Sequence, residues 1–508
     1  MFFWKRFKSE PKIQSKGTAL HPSLAANLQR FKEDIFANDD TINYREFKTR
    51  GPQSRACLLV YAENMAKRET LSDYLVRPLI QCALPVRLKD RAIIDYLASS
   101  VIQNDQVQIQ SDYQELAQSI LSGRGVLIVD GCTVGIVVMA EGWPKRTVSE
   151  PISESVVRGP RQAFVEELGE NIGLIRRKIK NSKLKAQYLQ IGVQTYTSMA
   201  IMYIEGIAAP SLVEEVFKRL ETIHLDGVLD SGYIEDFIQD SPNCPLPTIG
   251  STERPDIVAA RLLEGRVAIL VDGTPFVLTV PSLFLEAFQA NEDYYKNWLV
   301  ASFDRFLRYL CFFLTIATPA LYVSLINYHP QLLPTELILS ISSARTNVPF
   351  PALVEAVAML LLFEVLREGG VRLPQPVGQA ISIVGAVVLG DAAVSANLVS
   401  APMIIVVGVT GVASFVVPRL QDPAILIRFI FLFLASILGL YGVVFAFIGF
   451  FLQLASMESF GVPYLSSLTS FSAGDSKDTV VRVPWWLMRR RPKFLAPKNR
   501  VRLRGNRS

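Results

Sequence analysis

Histidine is scarce in this 508-residue chain: only His21, His224 and His329 occur. With no HExxH and no Cys/His cluster of metal spacing, the common zinc sites are excluded. The five cysteines (Cys57, Cys82, Cys132, Cys244 and Cys311) are scattered, odd in number and lack a CxxC pair. That excludes a disulfide framework and fits a reducing compartment. The glycine-rich "SGRG" at 122–125 is too short for a phosphate loop and lacks the GKS/T that follows one. No pair of carboxylates is placed by motif in a shared cleft, so no general acid–base site is expected. An enzyme is therefore not expected, and no cofactor is implied. The opening "MFFWKRFK" breaks at Lys5, too early for a signal peptide, and reads as a frayed terminus.

Acid is missing from residues 479–508, which hold ten Lys and Arg. The chain carries +5 in all, so without that segment the remainder carries −5. The basic character belongs to the tail and does not point to a nucleic-acid groove. Beside membrane spans such residues stay cytoplasmic and are attracted to anionic lipid.

Two segments of the first 300 residues repeat. "LSGRGVLIVDG" (121–131) matches "LEGRVAILVDG" (263–273), with Gly123 and Gly265 separated by 142 positions. "LLVYAENMA" (58–66) matches "AIMYIEGIA" (200–208), and Tyr61 and Tyr203 show the same separation of 142. One shared offset for two motifs indicates a tandem duplication. Each copy reads as a strand ("ACLLVY"; "SMAIMYI"), then helices, then a hairpin. The helices are expected at 69–80, 89–99 and 112–121, and at 211–222, 231–239 and 254–263, from their i, i+3, i+4 apolar spacing. Asp130-Gly131 and Asp272-Gly273 supply the hairpin signal. Glu63, Glu205 and the two aspartates are expected to serve turns and surface.

The expected domains are a polar segment at 1–50, repeat one at 51–145 and repeat two at 193–300. A linker with an amphipathic helix fills 146–192. Its helix is expected from Arg161, with Phe164, Leu168, Ile172 and Ile175 on one face. Basic residues from Arg176 to Lys180 crowd its end, where cations suit the dipole. It reads either as a solvated inter-domain helix or as a docking helix for a neighbouring subunit or lipid.

Charge also vanishes over long stretches after residue 308. A helical bundle is expected at 301–456, followed by the basic cytoplasmic tail at 457–508. Candidate spans are 309–328, 352–366, 377–397 and 400–418, each near the length a bilayer requires. A run of 29 uncharged residues between Arg428 and Glu458 is either one tilted helix of about 44 Å or a hairpin. The count of spans is four or six, with one segment re-entrant if the run is a single helix. Arg305 and Arg308 precede the first span, which places the preceding domains in the cytoplasm. The fold class is thus an α+β membrane protein: two tandem small α/β cytoplasmic domains, then a multi-pass helical bundle.

Four charges of the bundle stand out as candidates. Arg345, Glu355 and Glu364 form a candidate intramembrane charge network, as an ion pair or as a device coupled to ion movement. Glu355 and Glu364 are nine positions apart, on opposite faces of one helix. The fourth charge, Asp391, costs about 2.5–3.5 kcal/mol at mid-bilayer, so it should face protein or water. Val384, Val388, Asp391 and Ser395 share a helix face, flanked by small residues that allow close helix approach. They are candidate pore-lining residues, since rings of acids line cation paths. Alternatively, Asp391 caps a helix start after Gly390.

Four segments carry a family resemblance: "VVRGPRQAFVEELGENIGLIRRKIK", "SARTNVPFPALVEAVAMLLLFEVLREGGVRLP", "GQAISIVGAVVLGDAAVSANLVSAPMIIVV" and "SFGVPYL". In this order they resemble the A subunit of spore germination receptors, the GerA family, over roughly residues 50–465. The resemblance implies a subunit of the spore inner membrane that forms a ring-like homo-oligomer and acts as a nutrient-gated ion channel. It also implies two partners: a transporter-like B subunit that binds nutrient, and a C subunit that is a lipoprotein. A non-conducting scaffold or signal relay is the alternative. The basic tail is not among the family's motifs.

Overall fold

The computed structural model describes residues 19–51, 53–85, 90–104, 106–142, 151, 154, 156, 158–372, 390–466, 478–492, 495–496 and 499–502. These fall into two compact units, one within Met1–Ser155, Pro160–Ile234 and Ser251–Thr279, the other within Val156–Gly159, Glu235–Gly250 and Val280–Ser508.

The first unit holds two sheets of five strands. In the first are β1 (Ile42–Lys48), β2 (Ala56–Ala62), β3 (Val107–Gln110), β4 (Gly125–Val129) and β5 (Gly135–Val138), in the order β1-β2-β4-β5-β3. In the second are β6 (Leu184–Ile191), β7 (Thr197–Ile204), β8 (Gly250–Thr252), β9 (Val267–Val271) and β10 (Val277–Val280), in the order β6-β7-β9-β10-β8. The identical order is the duplication seen in three dimensions. Even the register is kept: Leu58 pairs Ile128 and Ala200 pairs Leu270, both residues moved by 142.

The central strands β2, β4 and β9 carry almost wholly apolar side chains because both faces are covered. Leu58 and Val60 pack with Phe31 and Leu116, on the side of α1 (Leu24–Gln29) and α2 (Tyr113–Leu121). Cys57 and Leu59 pack on the other side with Leu71, Leu75 and Ile94. An alternating pattern would have left one face in water. All six expected helices are found within a residue or two of their expected bounds.

Each copy begins earlier than the sequence reading placed it. Asp130 Oδ1 accepts from the N–H of Leu24 at 3.0 Å, and Asp272 Oδ1 from that of Leu168 at 3.0 Å. The next N–H, of Gly131 or Gly273, donates to the carbonyl of Pro22 or Glu166. Asn27 and Asn171 clamp the chain just upstream in the same way, through His21 and Val165. The Asp-Gly turns therefore hold the start of a leading helix in each copy. Residues 19–50 are not a separate polar segment but the leading helix and β1 of repeat one.

The linker helix is corrected likewise. It is α3 (Leu168–Lys178), starts seven residues after Arg161, and belongs to repeat two. Ile172, Ile175 and Arg176 are buried, so it is neither a solvated spacer nor a free docking surface. It packs with α4 (Pro255–Glu264) on β7 and β9.

The two repeats are joined by polar contacts at their edge strands. Arg176, with its side chain 1% exposed, donates to Asp39 at 2.6 Å and to Thr41 Oγ1 at 2.6 Å. The N–H of Asp40 donates to Ala186 O, and that of Tyr188 donates to the Asp40 carboxylate. Arg176 is therefore an internal tie, not part of an outward basic cluster.

The second unit is mainly helical. Its helices are α5 (Trp298–Tyr328), α6 (Thr335–Arg345), α7 (Ala352–Arg372), α8 (Gly390–Ser395), α9 (Ala401–Ser414), α10 (Gln421–Leu438) and α11 (Leu440–Ser456). Among the described residues, two helices are long and apolar enough to cross a membrane, Trp298–Tyr328 and Pro418–Leu438. α9 and α11 are apolar but shorter. Phe312, Ile316, Phe431, Phe450 and Leu454 form their common core with Phe284 and Phe288. α7 extends past the expected end of its span at 366, through Gly369 and Gly370, and α6 lies between the expected spans 309–328 and 352–366.

The uncharged run after Arg428 is a hairpin. Gly439 sits at φ 61°, ψ −139°, a conformation that a side chain disfavours, and ends α10. At Gly442 a Cβ would lie 2.1 Å from the Leu434 carbonyl oxygen, so only glycine admits this approach of α11 to α10. After α11, Glu458–Ser459 pairs with Val462–Pro463 in a short hairpin. This is the "SFGVPYL" motif; Ser459 Oγ donates to Thr248 O and Tyr464 Oη to Pro247 O.

Candidate functional site

The acids Glu355 and Glu364 of α7 meet partner charges in two separate places. At one end, Glu355 is fully buried. Its Oε1 lies 3.2 Å from Arg345 Nη2, at the end of α6. Its Oε2 accepts from the Ser400 N–H at 3.1 Å and from the Ser400 hydroxyl at 2.8 Å. Ser400 is the residue before α9, so the carboxylate holds that helix at its start. A helix start presents unsatisfied N–H groups and the positive end of the dipole, both of which favour an anion.

Glu364 stands near the middle of α7, about 13 Å further along by helical rise. Its Oε1 accepts from Arg428 of α10 at 2.6 Å, and its Oε2 lies 2.8 Å from Arg367 Nε. Arg367 also reaches Asp422 at 3.4 Å. The Arg428 side chain is 1% exposed, so its charge is met almost wholly by Glu364. Of the candidate charge network, Arg345 and Glu355 form an ion pair, while Glu364 stands in a separate cluster with Arg428 and Arg367. The first pairs α7 with α6 and α9, the second with α10.

Of the four stripe residues, Asp391 and Ser395 lie on α8, and Val384 and Val388 lie outside the described residues. α8 turns Gly390 and Ala393 inward, while Ala392 is exposed. A Cβ on Gly390 would meet Ile404 of α9 at 3.8 Å, and Ala393 packs in the cluster that includes Ile404. Asp391 and Ser395, one turn apart, are both exposed in the single chain.

Sequence reasoning passed over Ser400, Arg428 and Asp422. Arg428 served only as the border of an uncharged run, yet a lone arginine beside that run calls for a partner acid. The pair Arg305 and Arg308 also looks different in place. Arg305 contacts Asp293 at 3.3 Å and Asp478 at 3.0 Å, and Arg308 contacts Asp293 at 2.9 Å. Their charges are matched by acids, which weakens their use as topology markers. Among the described residues, no group of three or more His, Cys, Asp or Glu is placed to hold a metal ion.

The model of the Bacillus/Clostridium GerA spore germination protein family matches residues 29–494. The chain belongs to the GerA family. Spore germination protein KA of Bacillus subtilis is 41% identical over 486 residues, covering 95% of this chain and 88% of that protein. Spore germination protein A1 of the same organism is 38% identical over 469 residues, covering 92% and 94%. The uncharacterized membrane protein YfkQ, also from Bacillus subtilis, is 44% identical over 437 residues, covering 85% and 84%. The crystal structure of the N-terminal domain of the A subunit of the Bacillus megaterium spore germinant receptor GerK3 is 35% identical, with a TM-score of 0.41, and covers 53% of this chain and 98% of that one. The resemblance drawn from four sequence motifs is therefore borne out at the level of the family. Within the GerA match fall both charge clusters and α8; residues 495–508 of the basic tail fall beyond it.

Proposed function

We propose that this chain is the A subunit of a nutrient-responsive spore germination receptor, and that its copies assemble in the spore inner membrane around an ion path that germinant opens. The observation that carries this reading is the outward placement of Asp391 and Ser395 on a helix that turns Gly390 and Ala393 inward. A carboxylate turned to lipid would cost about 2.5–3.5 kcal/mol. Turned to a water-filled path shared by several copies, it keeps its hydration, and a ring of acids attracts cations. Val384, Val388, Asp391 and Ser395 line that path in this reading. The two charge clusters keep α6, α7, α9 and α10 in register while α8 borders the path. Family membership and the names of the relatives support the germination role. The receptor's transporter-like B subunit and lipoprotein C subunit are its partners, the two sheet-bearing repeats are cytoplasmic, and the helices make four or six passes.

One observation favours a second reading, a non-conducting scaffold that relays a signal by contact. Asp391 stands in the first turn of α8, where an acid suits the helix dipole with no ion path involved. Conductance separates the two. Purified receptor reconstituted in planar bilayers should pass ions when germinant is added. Assembled complexes that never conduct would remove the channel reading and leave the scaffold.

A further inference from the structure

The described residues of the basic tail from Asp478 onward are strapped to the start of α5. The Asp478 carboxylate accepts from Tyr294 Oη at 2.6 Å and lies 3.0 Å from Arg305. Four residues further on, Ser302 Oγ accepts from the N–H of Arg482 at 3.1 Å. The buried Arg482 guanidinium sits against the Tyr294 and Trp485 rings, 5.9 and 5.7 Å from their centroids. Arg502 covers Trp485 at 5.2 Å. Residues 489–491 pair with 500–502: Arg491 N–H donates to Arg500 O, and Arg502 N–H to Arg489 O. Met488, Leu495 and Ala496 are buried.

Against this fixed frame stand side chains that water does not favour. Trp486 is 66% exposed, and Trp485 and Leu487 are exposed beside it. The first turns of α5 add Leu299, Phe303 and Phe306, also exposed. Around them Arg489, Arg490 and Arg500 are exposed, in a segment with no acid after Asp478. Tryptophan prefers the headgroup level, where its ring is apolar on its body and polar at its N–H. Basic clusters beside a span attract anionic headgroups. The apolar patch is continuous with a helix long and apolar enough to cross a membrane.

We propose that the described segments 480–492 and 499–502 form an interfacial anchor that docks on anionic lipid. Trp485, Trp486 and Leu487 enter the headgroup layer beside the start of α5, and Arg490 and Arg500 pair with lipid phosphates. This rests on the reading that α5 crosses a membrane, but it does not depend on ion conduction.

The test uses the full chain with Trp4, Trp143 and Trp298 replaced by Phe, leaving Trp485 and Trp486 as reporters. It is reconstituted in vesicles of phosphatidylcholine alone or mixed with phosphatidylglycerol, with bromine on acyl carbons near the headgroup or near the chain end. The anchor predicts blue-shifted emission, quenched by the shallow bromines and more strongly when phosphatidylglycerol is present. R490Q/R500Q should reduce quenching to that seen in phosphatidylcholine alone. A companion chain with all five native tryptophans changed to Phe and Leu321→Trp as its sole reporter tells whether α5 enters the bilayer. Deep quenching there with unquenched, red-shifted tail emission overturns the anchor and leaves the span. Absence of quenching in both chains overturns the anchor and the span together. Quenching indifferent to phosphatidylglycerol, or tail tryptophans shielded only when another receptor subunit is added, overturns the lipid assignment in favour of a protein contact.

Discussion

Glu355 on α7 and Ser400 at the head of α9 are joined twice, through the N–H at 3.1 Å and the hydroxyl at 2.8 Å. The same carboxylate pairs with Arg345, so three helices meet at one buried acid. Glu355→Ala leaves both Ser400 groups and the arginine without that partner. Breaking a buried pair from one side costs about 3–5 kcal/mol. Glu355→Gln should cost less, because its amide oxygen still accepts from Ser400. Thermal unfolding of the detergent-solubilised chain checks the ranking; equal losses for Ala and Gln would mean that the Ser400 bonds contribute little.

Arg176 and Asp39 are the corresponding tie of the sheet-bearing unit. Arg176→Met strands a buried carboxylate and should destabilise by a similar amount, about 3–5 kcal/mol. Adding Asp39→Asn should restore part of the loss, since the remaining side chain is neutral. Hydrogen exchange of β1 and β6 in the full chain reads this directly. No recovery in the double variant would argue that packing, not charge, sets the cost.

Gly442→Ala should disrupt the α10–α11 hairpin. The added carbon meets the Leu434 carbonyl oxygen at 2.1 Å, and both groups belong to main chain that is held on each side. Overpacking of this kind costs about 1–3 kcal/mol or more. Gly449→Ala, with nothing within 4 Å of its Cβ, is the matched control and should be silent. Melting temperatures of the two variants decide it.

Asp230 gives the sheet-bearing unit an acid limit. Burial raises its carboxyl, but hydrogen bonds from the Thr274 hydroxyl and from the Gly232 and Ser231 N–H groups outweigh this and hold it below the ordinary value. A depressed folded value stabilises fully above the unfolded value, about 3.9, and the gain disappears as pH falls through the folded value. Asp230→Asn should therefore flatten the fall in stability below about pH 4. An unchanged slope would show that these bonds do not persist in solution.

The duplication was legible because buried strands tolerate little change: "VLIVDG" and "AILVDG" keep one spacing and, in the fold, one register. The leading helices were not, for a physical reason. Leu24 and Leu168 are 144 apart, whereas the strands are 142 apart, so a shift of two positions breaks the alignment just where sequence identity is also low. The buried state of α3 was hidden by its basic end, since Arg176 looks like surface until Asp39, more than a hundred positions away, is found beside it. In the helical unit the acids were conspicuous, but their partners were not. Glu355 and Glu364 were correctly read as unable to share one site, yet Ser400 and Arg428 come from distant helices. The hairpin after Arg428 turned on Gly439 and Gly442, visible as "GLYG" but decided only by the close approach of two helices.

The central claim is that Asp391 faces a water-filled path between copies. Ion selectivity of reconstituted Asp391→Asn complexes tests it most directly, after their stoichiometry is shown to match the parent. The account predicts that, under a salt gradient and with germinant present, the reversal potential moves toward zero as cation preference weakens. A reversal potential identical to the parent's would take Asp391 out of the path and contradict the account.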